Sequence, residues 1–340
     1  MEESITYDDV VLIPSYNHYE SRKLVDISMA DKTGRITLAL PVMSANMDTI
    51  TEATMANFIS GKGGIGVLHR FMPIEENVRI YKMCRRPVIV SIGCTEAELG
   101  RAAALRDSGA DMFCMDVAHA HGRYVGRAFK QIRELLGRQT FVMAGNVATY
   151  AGADYLASCG ADMIKVGVGG GSVCTTREKT GFGVPNLTAI RECARVDRSI
   201  VADGGIRTPG DIVKALAFGA DFVMIGAMLA GTRPTPGPPI RRTDADGREK
   251  QVKIYRGMAS QEAVIEQHGV MAGWKTAEGV SVEIPLRDTE DDVVADIIGG
   301  LRSGLTYGGA ATIRELQRKL DYRRVSWAGR IEAGAHIHRS

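Results

Sequence analysis

Three times in this chain the tripeptide Gly-Ala-Asp runs straight into a short apolar segment: Ser-Gly-Ala-Asp111 before Met-Phe-Cys-Met, Cys-Gly-Ala-Asp162 before Met-Ile-Lys-Val, and Phe-Gly-Ala-Asp221 before Phe-Val-Met-Ile. A glycine at the end of a helix accepts the left-handed backbone that closes the last turn, and the chain then passes at once into the next element. An apolar run of four or five residues reads as a strand buried on both faces, as in a parallel sheet covered by helices. The echo therefore marks repeated helix, turn, strand units.

Extending the pattern gives eight apolar runs: Leu40 to Met43, Ile65 to Leu68, Val88 to Ile92, Met112 to Val117, Phe141 to Ala144, Met163 to Val166, Ile200 to Ala202 and Phe222 to Ile225. The intervals are long enough for helices, and Glu96 to Asp107, Tyr124 to Leu136, Leu187 to Arg195 and Pro209 to Phe218 have helical patterning. Eight strand and helix repeats predict an α/β fold, a (β/α)8 TIM barrel in a single catalytic domain spanning 1–340, with an open doubly wound sheet as the alternative. Residues 231–285 form an excursion after the eighth strand. Gly231 to Lys250 is dense in proline, glycine and charge and predicts a mobile, partly disordered cover for the barrel mouth. Beyond it, Val252 to Met258 and Val280 to Pro285 predict short strands around a helical Gln261 to His268, and Val293 to Leu301 and Ala311 to Leu320 predict closing helices.

The charge balance narrows the partners. Lysine plus arginine number 42 against 40 aspartates and glutamates, a net +2, which gives no global attraction to nucleic acid or an anionic membrane. No apolar run approaches the roughly 18 residues of a membrane span. The acidic start Met1-Glu-Glu-Ser-Ile-Thr-Tyr-Asp-Asp does not resemble a secretory signal. Six scattered cysteines without zinc-type spacing predict a reduced, cytoplasmic setting.

Barrel enzymes gather their chemistry where strands end. Here those ends carry Ser44 to Asp48, His69-Arg70, Gly93, Asp116 to His121, Gly145-Asn146, Asp203-Gly-Gly205 and Gly226-Ala227. The sixth is Gly167-Val-Gly-Gly-Gly-Ser-Val-Cys-Thr-Thr-Arg177, which exposes the Cys174 thiol on a glycine-rich loop beside two hydroxyls and a fixed positive charge. That is a plausible nucleophile setting, although many free cysteines are simply small buried hydrophobes. A dinucleotide-binding glycine motif does not fit, because the third glycine is missing and Lys179 to Pro185 does not continue as a helix. Asp203 could accept from a ribose diol or cap the helix near Pro209. Gly204, Gly205, Gly226 and Ala227 could cradle a phosphate or form tight turns. His119 and His121 would share one face of an extended segment but lack a third metal ligand, and Asp116 is the better ligand contact. Glu278 reads by default as a loop carboxylate, and His336 and His338 as solvated tail residues.

Taken together, Tyr7-Asp-Asp-Val-Val-Leu-Ile-Pro14, Pro41-Val-Met-Ser-Ala-Asn-Met-Asp-Thr49, Gly64-Ile-Gly-Val-Leu-His69, the Cys174 loop, Asp203-Gly-Gly205, Tyr255-Arg-Gly-Met258 and Gly299-Gly-Leu-Arg-Ser303 resemble the IMP dehydrogenase and GMP reductase family from about residue 5 to 335. The resemblance implies a barrel, usually a homotetramer, that binds a purine 5′-monophosphate and a nicotinamide cofactor. It implies that Cys174 attacks purine C2, that Asp203 holds the ribose, and that Ser172, Gly204, Gly205, Gly226, Ala227 and Tyr255 surround the phosphate. Met47 and Met258 would contact the base, with Ala259, Ser260 and Lys275 nearby. Main-chain carbonyls of Gly169, Gly171 and Cys174 match the family's potassium loop, and Asp116, Ala118 and Arg177 match positions near the cofactor.

Direction follows from the same resemblance. The dehydrogenases activate water with an Arg-Tyr pair on a flap, and Met258 to Glu278 contains neither residue type. Ser-Val-Cys-Thr-Thr-Arg is the reductase form of the loop, Thr176 and Glu278 match the reductase proton donors, and no CBS repeats lie between strands two and four. The expected reaction is NADPH-dependent reductive deamination of GMP to IMP. Departures from the reductase pattern at Trp274-Lys275, Thr276-Ala-Glu-Gly279 and Met258-Ala-Ser260, and a dehydrogenase-like tail at Val325 to Glu332, keep two variants open: a modified guanine nucleotide such as a 7-deazaguanine one, and IMP dehydrogenation. A nucleotide sensor without turnover is the alternative from another class.

Overall fold

The computed structural model describes residues 3–334 apart from Ala245, so His336 and His338 lie outside the described residues. The eight runs form a closed parallel barrel: β1 (Val42–Ser44), β2 (Ile65–Leu68), β3 (Ile89–Ile92), β4 (Met112–Asp116), β5 (Phe141–Val147), β6 (Met163–Val166), β7 (Ser199–Asp203) and β8 (Phe222–Ile225). Consecutive strands pair in sequence order, and Val42 to Ser44 against Val223 to Ile225 closes the circle. The open doubly wound sheet is thereby excluded. Helices α1 (Ala53–Gly61), α2 (Ile74–Met83), α3 (Glu96–Asp107), α4 (Arg123–Leu136) and α5 (Tyr150–Ser158) cover the first strands. The wall continues with the short α6 (Thr176–Thr180), then α7 (Asn186–Cys193) and α8 (Pro209–Ala217).

The glycines of the three Gly-Ala-Asp units share one backbone conformation, and two of the three aspartates bond to a neighbouring strand. Gly109, Gly160 and Gly219 take positive φ, at 94°, 98° and 113°, where a side chain would be strained. Asp162 and Asp221 then stitch neighbouring strands at their starts. Asp162 accepts from the Val142 N–H at 2.8 Å and Asp221 from the Ile200 N–H at 2.7 Å. These bonds occupy backbone donors at the base of the barrel that have no ladder partner. At Gly66 the close packing of β2 on α1 leaves no room for a methyl group, since a Cβ there would lie 2.5 Å from the Ala56 Cβ.

Within the excursion the strands expected over 252–258 and 280–285 and the helix over 261–268 are present, and the departure from expectation lies in 231–250. Instead of a partly disordered cover, residues 240–285 contain a three-stranded antiparallel sheet: β9 (Ile240–Thr243), β10 (Glu249–Arg256) and β11 (Ser281–Pro285). The prolines stop short of β9, and the charges of Arg242 and Glu283 pair across the sheet at 2.5 Å. Lys253 on β10 is buried, and its ammonium group donates to the Thr232 and Arg233 carbonyls and to the Thr235 hydroxyl, which ties the proline segment down. Helix α9 (Gln261–His268) bridges β10 to β11. The chain closes with α10 (Glu290–Tyr307), packed on α8, then α11 (Ile313–Arg318) and α12 (Trp327–Glu332). A ribbon of Val10–Leu12 with Tyr322–Arg324, not evident in the sequence, brings the two ends of the chain together. Among the described residues no helix is long and apolar enough to cross a membrane.

Candidate active site

Strand β6 delivers the glycine-rich loop to the mouth. Gly167 has φ 146°, and a Cβ there would lie 1.9 Å from the Asp203 carbonyl, so only glycine passes between β6 and β7. The loop turns at Gly171, whose carbonyl accepts from the Cys174 N–H at 3.1 Å, while the carbonyls of Gly169 and Cys174 accept no hydrogen bond among the described residues. Cys174 is partly exposed, and its sulfur lies 3.1 Å from the Thr176 hydroxyl at the start of α6.

The excursion is zipped onto this loop. The Thr175 N–H donates to the Glu278 carbonyl and the Val280 N–H to the Val173 carbonyl, both at 2.9 Å, which pairs Cys174 with Gly279 in an isolated antiparallel bridge. Gly279 and Gly257 fit because a Cβ on either would lie about 3 Å from the Val173 carbonyl, at 3.1 and 2.9 Å. A residue 104 positions downstream thus lines the same cavity of about 780 Å³ as Cys174 and Thr176.

Across the cavity a buried lysine organises two carboxylates. The Lys165 ammonium group lies 2.9 Å from Asp116 Oδ1 and 2.9 Å from Asp203 Oδ2. The Asn146 amide adds a 2.9 Å bond to the same Asp203 oxygen and a 2.7 Å bond to the Gly167 carbonyl. Burial alone would raise the Asp116 carboxyl, yet the Lys165 charge, with Arg70 and Asn46, holds it below the ordinary carboxylate range. Burial likewise opposes charge on Lys165, but Asp116 and Asp203 outweigh it and raise its pKa. Asp203 is therefore no helix cap. That role falls to Thr208, which accepts from the Asp211 N–H.

The other expected residues divide into two groups. Met47, Ser172, Gly204, Gly205, Gly226, Ala227, Tyr255, Met258, Ala259, Lys275, Asp116 and Ala118 all line the cavity, as do Gly169 and Gly171. The Ser172 hydroxyl and the Tyr255 phenol lie 3.1 Å apart, and burial pushes that phenol up. Gly204 and Gly205 both have positive φ, and a Cβ at either would lie 3.1 Å from the Gly170–Gly171 main chain. Ser260 and Arg177 stand apart from the cavity. Ser260 is fully buried and caps α9 by accepting from the Ala263 N–H, while the Arg177 guanidinium is drawn beneath the loop onto the Val168 and Val184 carbonyls. The His119 and His121 rings are exposed and 6.4 Å apart, and no cluster of three metal-ligating side chains occurs among the described residues.

Asn46, Arg70 and Asn146, read from the sequence only as parts of strand-end segments, also line the site, as does Lys165, which was given no role there. Lys165 carried a usable signal. A lysine in the middle of a strand buried on both faces must find counter-charges or lose its proton.

Comparison with known proteins agrees with this construction. Residues 4–336 match the family model described as the IMP dehydrogenase / GMP reductase domain. GMP reductase 1 of Mus musculus is 35% identical, with 95% of each chain covered. Inosine-5′-monophosphate dehydrogenase of Aquifex aeolicus is 32% identical over 99% of this chain and 96% of its own. Among solved structures, an inosine 5′-monophosphate dehydrogenase from Legionella pneumophila is 65% identical with TM-score 0.87, covering 96% of this chain and all of the other. A GMP reductase from Trypanosoma brucei in complex with guanosine 5′-monophosphate superposes with TM-score 0.90 at 27% identity, covering 99% and 98%. With its closed barrel, its cysteine loop and these relatives, the chain belongs to the IMP dehydrogenase and GMP reductase family, oxidoreductases of purine nucleotides that use a nicotinamide cofactor.

Proposed function

We propose that this protein is a cytoplasmic, NADPH-dependent reductase that converts GMP to IMP and ammonia. The observation that carries the proposal is the zipper of Glu278 and Gly279 onto the Cys174 loop, which sets a thiol, a hydroxyl and a carboxyl group around one cavity. The Cys174 thiolate adds to purine C2. Thr176 and Glu278 deliver the proton that lets the C2 amine leave as ammonia, which leaves the purine bound to sulfur. NADPH, when bound, supplies a hydride to C2. The C2–S bond then breaks, returning the thiolate and releasing IMP.

Asp203 accepts from the ribose hydroxyls through the oxygen that Lys165 and Asn146 leave free. Ser172, Tyr255 and the Gly204, Gly205, Gly226 and Ala227 backbone surround the phosphate, and Met47, Met258, Ala259 and Lys275 face the base. Asp116 and Ala118 receive the nicotinamide end. The free carbonyls of Gly169 and Cys174, with that of Gly171, fit a potassium ion that would stiffen the loop. Arg177 and Ser260 then act from behind the wall. A homotetramer is the expected assembly.

The 65% identity to the inosine 5′-monophosphate dehydrogenase from Legionella pneumophila favours a second reading, IMP dehydrogenation. That reaction needs a base to activate water, and residues 258–278 offer neither arginine nor tyrosine. A modified guanine nucleotide remains the substrate variant suggested by Lys275 and Ala259. Two incubations separate the readings. GMP with NADPH should lose absorbance at the NADPH band and release one ammonia per IMP formed. IMP with NAD+ should give no sustained NADH, and continuous XMP formation would replace the reductase proposal with a dehydrogenase one.

A further inference from the structure

The Lys165 side chain crosses the barrel interior. It starts on β6 and reaches Asp116 at the end of β4, two strands away, and it does so over Gly145 on β5, the residue paired with both in the ladder. Gly145 leaves the path open, because a Cβ there would lie 2.6 Å from the Lys165 Cβ. The same ammonium group holds Asp203 on β7. Lys165 is 4% exposed, and Asp116 and Asp203 are 19% and 21% exposed at the cavity surface. One buried cation therefore serves two carboxylates that face different parts of one cavity.

We infer that Lys165 is a positioning residue that ties the nucleotide site at Asp203 to the cofactor site at Asp116, holding both carboxylates aimed into the cavity. The inference rests on the functional reading above. Its physical basis is charge balance: two carboxylates around one lysine carry a net −1, and without the lysine two like charges would be left together in a poorly solvated place. One of them would then take a proton, and a protonated Asp203 can no longer accept from both ribose hydroxyls. The groups facing this set are Arg70 and Cys114 near Asp116, and Tyr7 and Tyr255 near Asp203, with Asn46 and Asn146 neutral. Of these only Arg70 is a cation, and it acts on Asp116.

The test is calorimetric titration of the full-length protein with GMP, and with NADP+ in the presence of GMP, between pH 6 and 8.5. Wild type should bind GMP with little pH dependence. Lys165→Met should bind GMP about tenfold or more weakly, in keeping with the loss of a charge-assisted bond, and the loss should change with pH as the carboxylate pair takes up a proton. The double variant Lys165→Met with Asp116→Asn removes the like-charge pair. It should recover GMP affinity to within about threefold while NADP+ stays weak, as expected for coupled groups in one network. Retention of wild-type GMP affinity by Lys165→Met would overturn the inference, and so would a loss that is constant across pH and not recovered in the double variant. Ammonia release from GMP by wild type is scored separately: its absence removes the functional reading, whereas its presence with wild-type binding in Lys165→Met removes only the role given to the lysine.

Discussion

Replacing Thr176 by valine isolates one interaction at the reaction centre. The two side chains are nearly isosteric, and Thr176 is partly exposed at the first turn of α6, so the loop has no packing reason to move. What disappears is a hydroxyl 3.1 Å from the Cys174 sulfur. A hydrogen bond to a charged partner contributes about 1.5–3 kcal/mol, which corresponds to about 10- to 150-fold in rate where the bond is made only in the transition state. If the hydroxyl also relays the proton to the departing amine, general-acid catalysis adds to that figure, typically about 10²–10⁴-fold for a complete loss. The expected result for Thr176→Val is a fall in kcat of about 100-fold or more, with GMP affinity within about threefold of wild type, because uniform binding is untouched. Thr176→Ser should keep most of the rate. Ammonia release and NADPH oxidation measured at saturating GMP give kcat, and GMP titration without cofactor gives affinity. A valine variant that keeps a tenth of the wild-type kcat would refute the reasoning, as would one that loses GMP affinity in step with kcat.

Three further outcomes follow. Glu278→Gln keeps the backbone zipper to Thr175 but cannot release a proton, so GMP turnover should fall by about 10²-fold or more while the melting temperature holds; equal loss of both would assign Glu278 a structural task. Gly66→Ala forces β2 and α1 apart at a 2.5 Å contact and should cost about 1–3 kcal/mol in a denaturant titration, whereas an unchanged midpoint would show that the barrel wall yields freely. Asp8 is held below its ordinary carboxylate range, first by its hydrogen bonds to Arg207, with Arg330 adding to the effect. A depressed folded pKa contributes stability that is present above the unfolded value of 3.8 and is lost as pH falls through the folded one. The protection factors of the Val10–Leu12 amides, corrected for the intrinsic exchange rate at each pH, should therefore fall below about pH 4 in wild type, and Asp8→Asn should remove that dependence; a flat wild-type profile would exclude the linkage.

Local pattern carried the barrel. Strands buried on both faces write themselves as uninterrupted apolar runs, and a glycine with obligatory positive φ marks each return, as at Gly109, Gly160 and Gly219. β9 and the first residues of β10 were harder to read because they are exposed in succession, with no buried alternation, and carry Arg241, Arg242, Glu249 and Lys250, charges that look like loop when their partners are unknown. Cys174, Asp203 and Asp116 were legible as polar residues at strand ends. Arg177 was not, since an arginine's direction depends on which carbonyls lie within reach, and here Val168 and Val184 take it inward. Ser260 was misplaced for the same kind of reason, because its hydroxyl answers the nearest open helix N–H before any ligand.

The reaction direction depends on what the excursion brings to the sulfur, so the antiparallel bridge between Cys174 and Gly279 matters more than the identity of the nucleophile. Both chemistries in this family can start from a cysteine on a glycine-rich loop; they part at the next step, when either water or a hydride must reach the same carbon. Backbone pairing at Thr175 and Val280 fixes residues 278–280 against the loop, and Gly257 and Gly279 permit the approach because neither has a side chain to hold the strands apart. With the main chain so constrained, the side chain at position 278 lines the same cavity as the sulfur. A carboxyl group there can hand over a proton to an amine, and residues 258–278 hold no arginine or tyrosine to help make hydroxide from water. On the reductase proposal, the register of the excursion on the Cys174 loop is what would select between two reactions that the barrel alone leaves equally open.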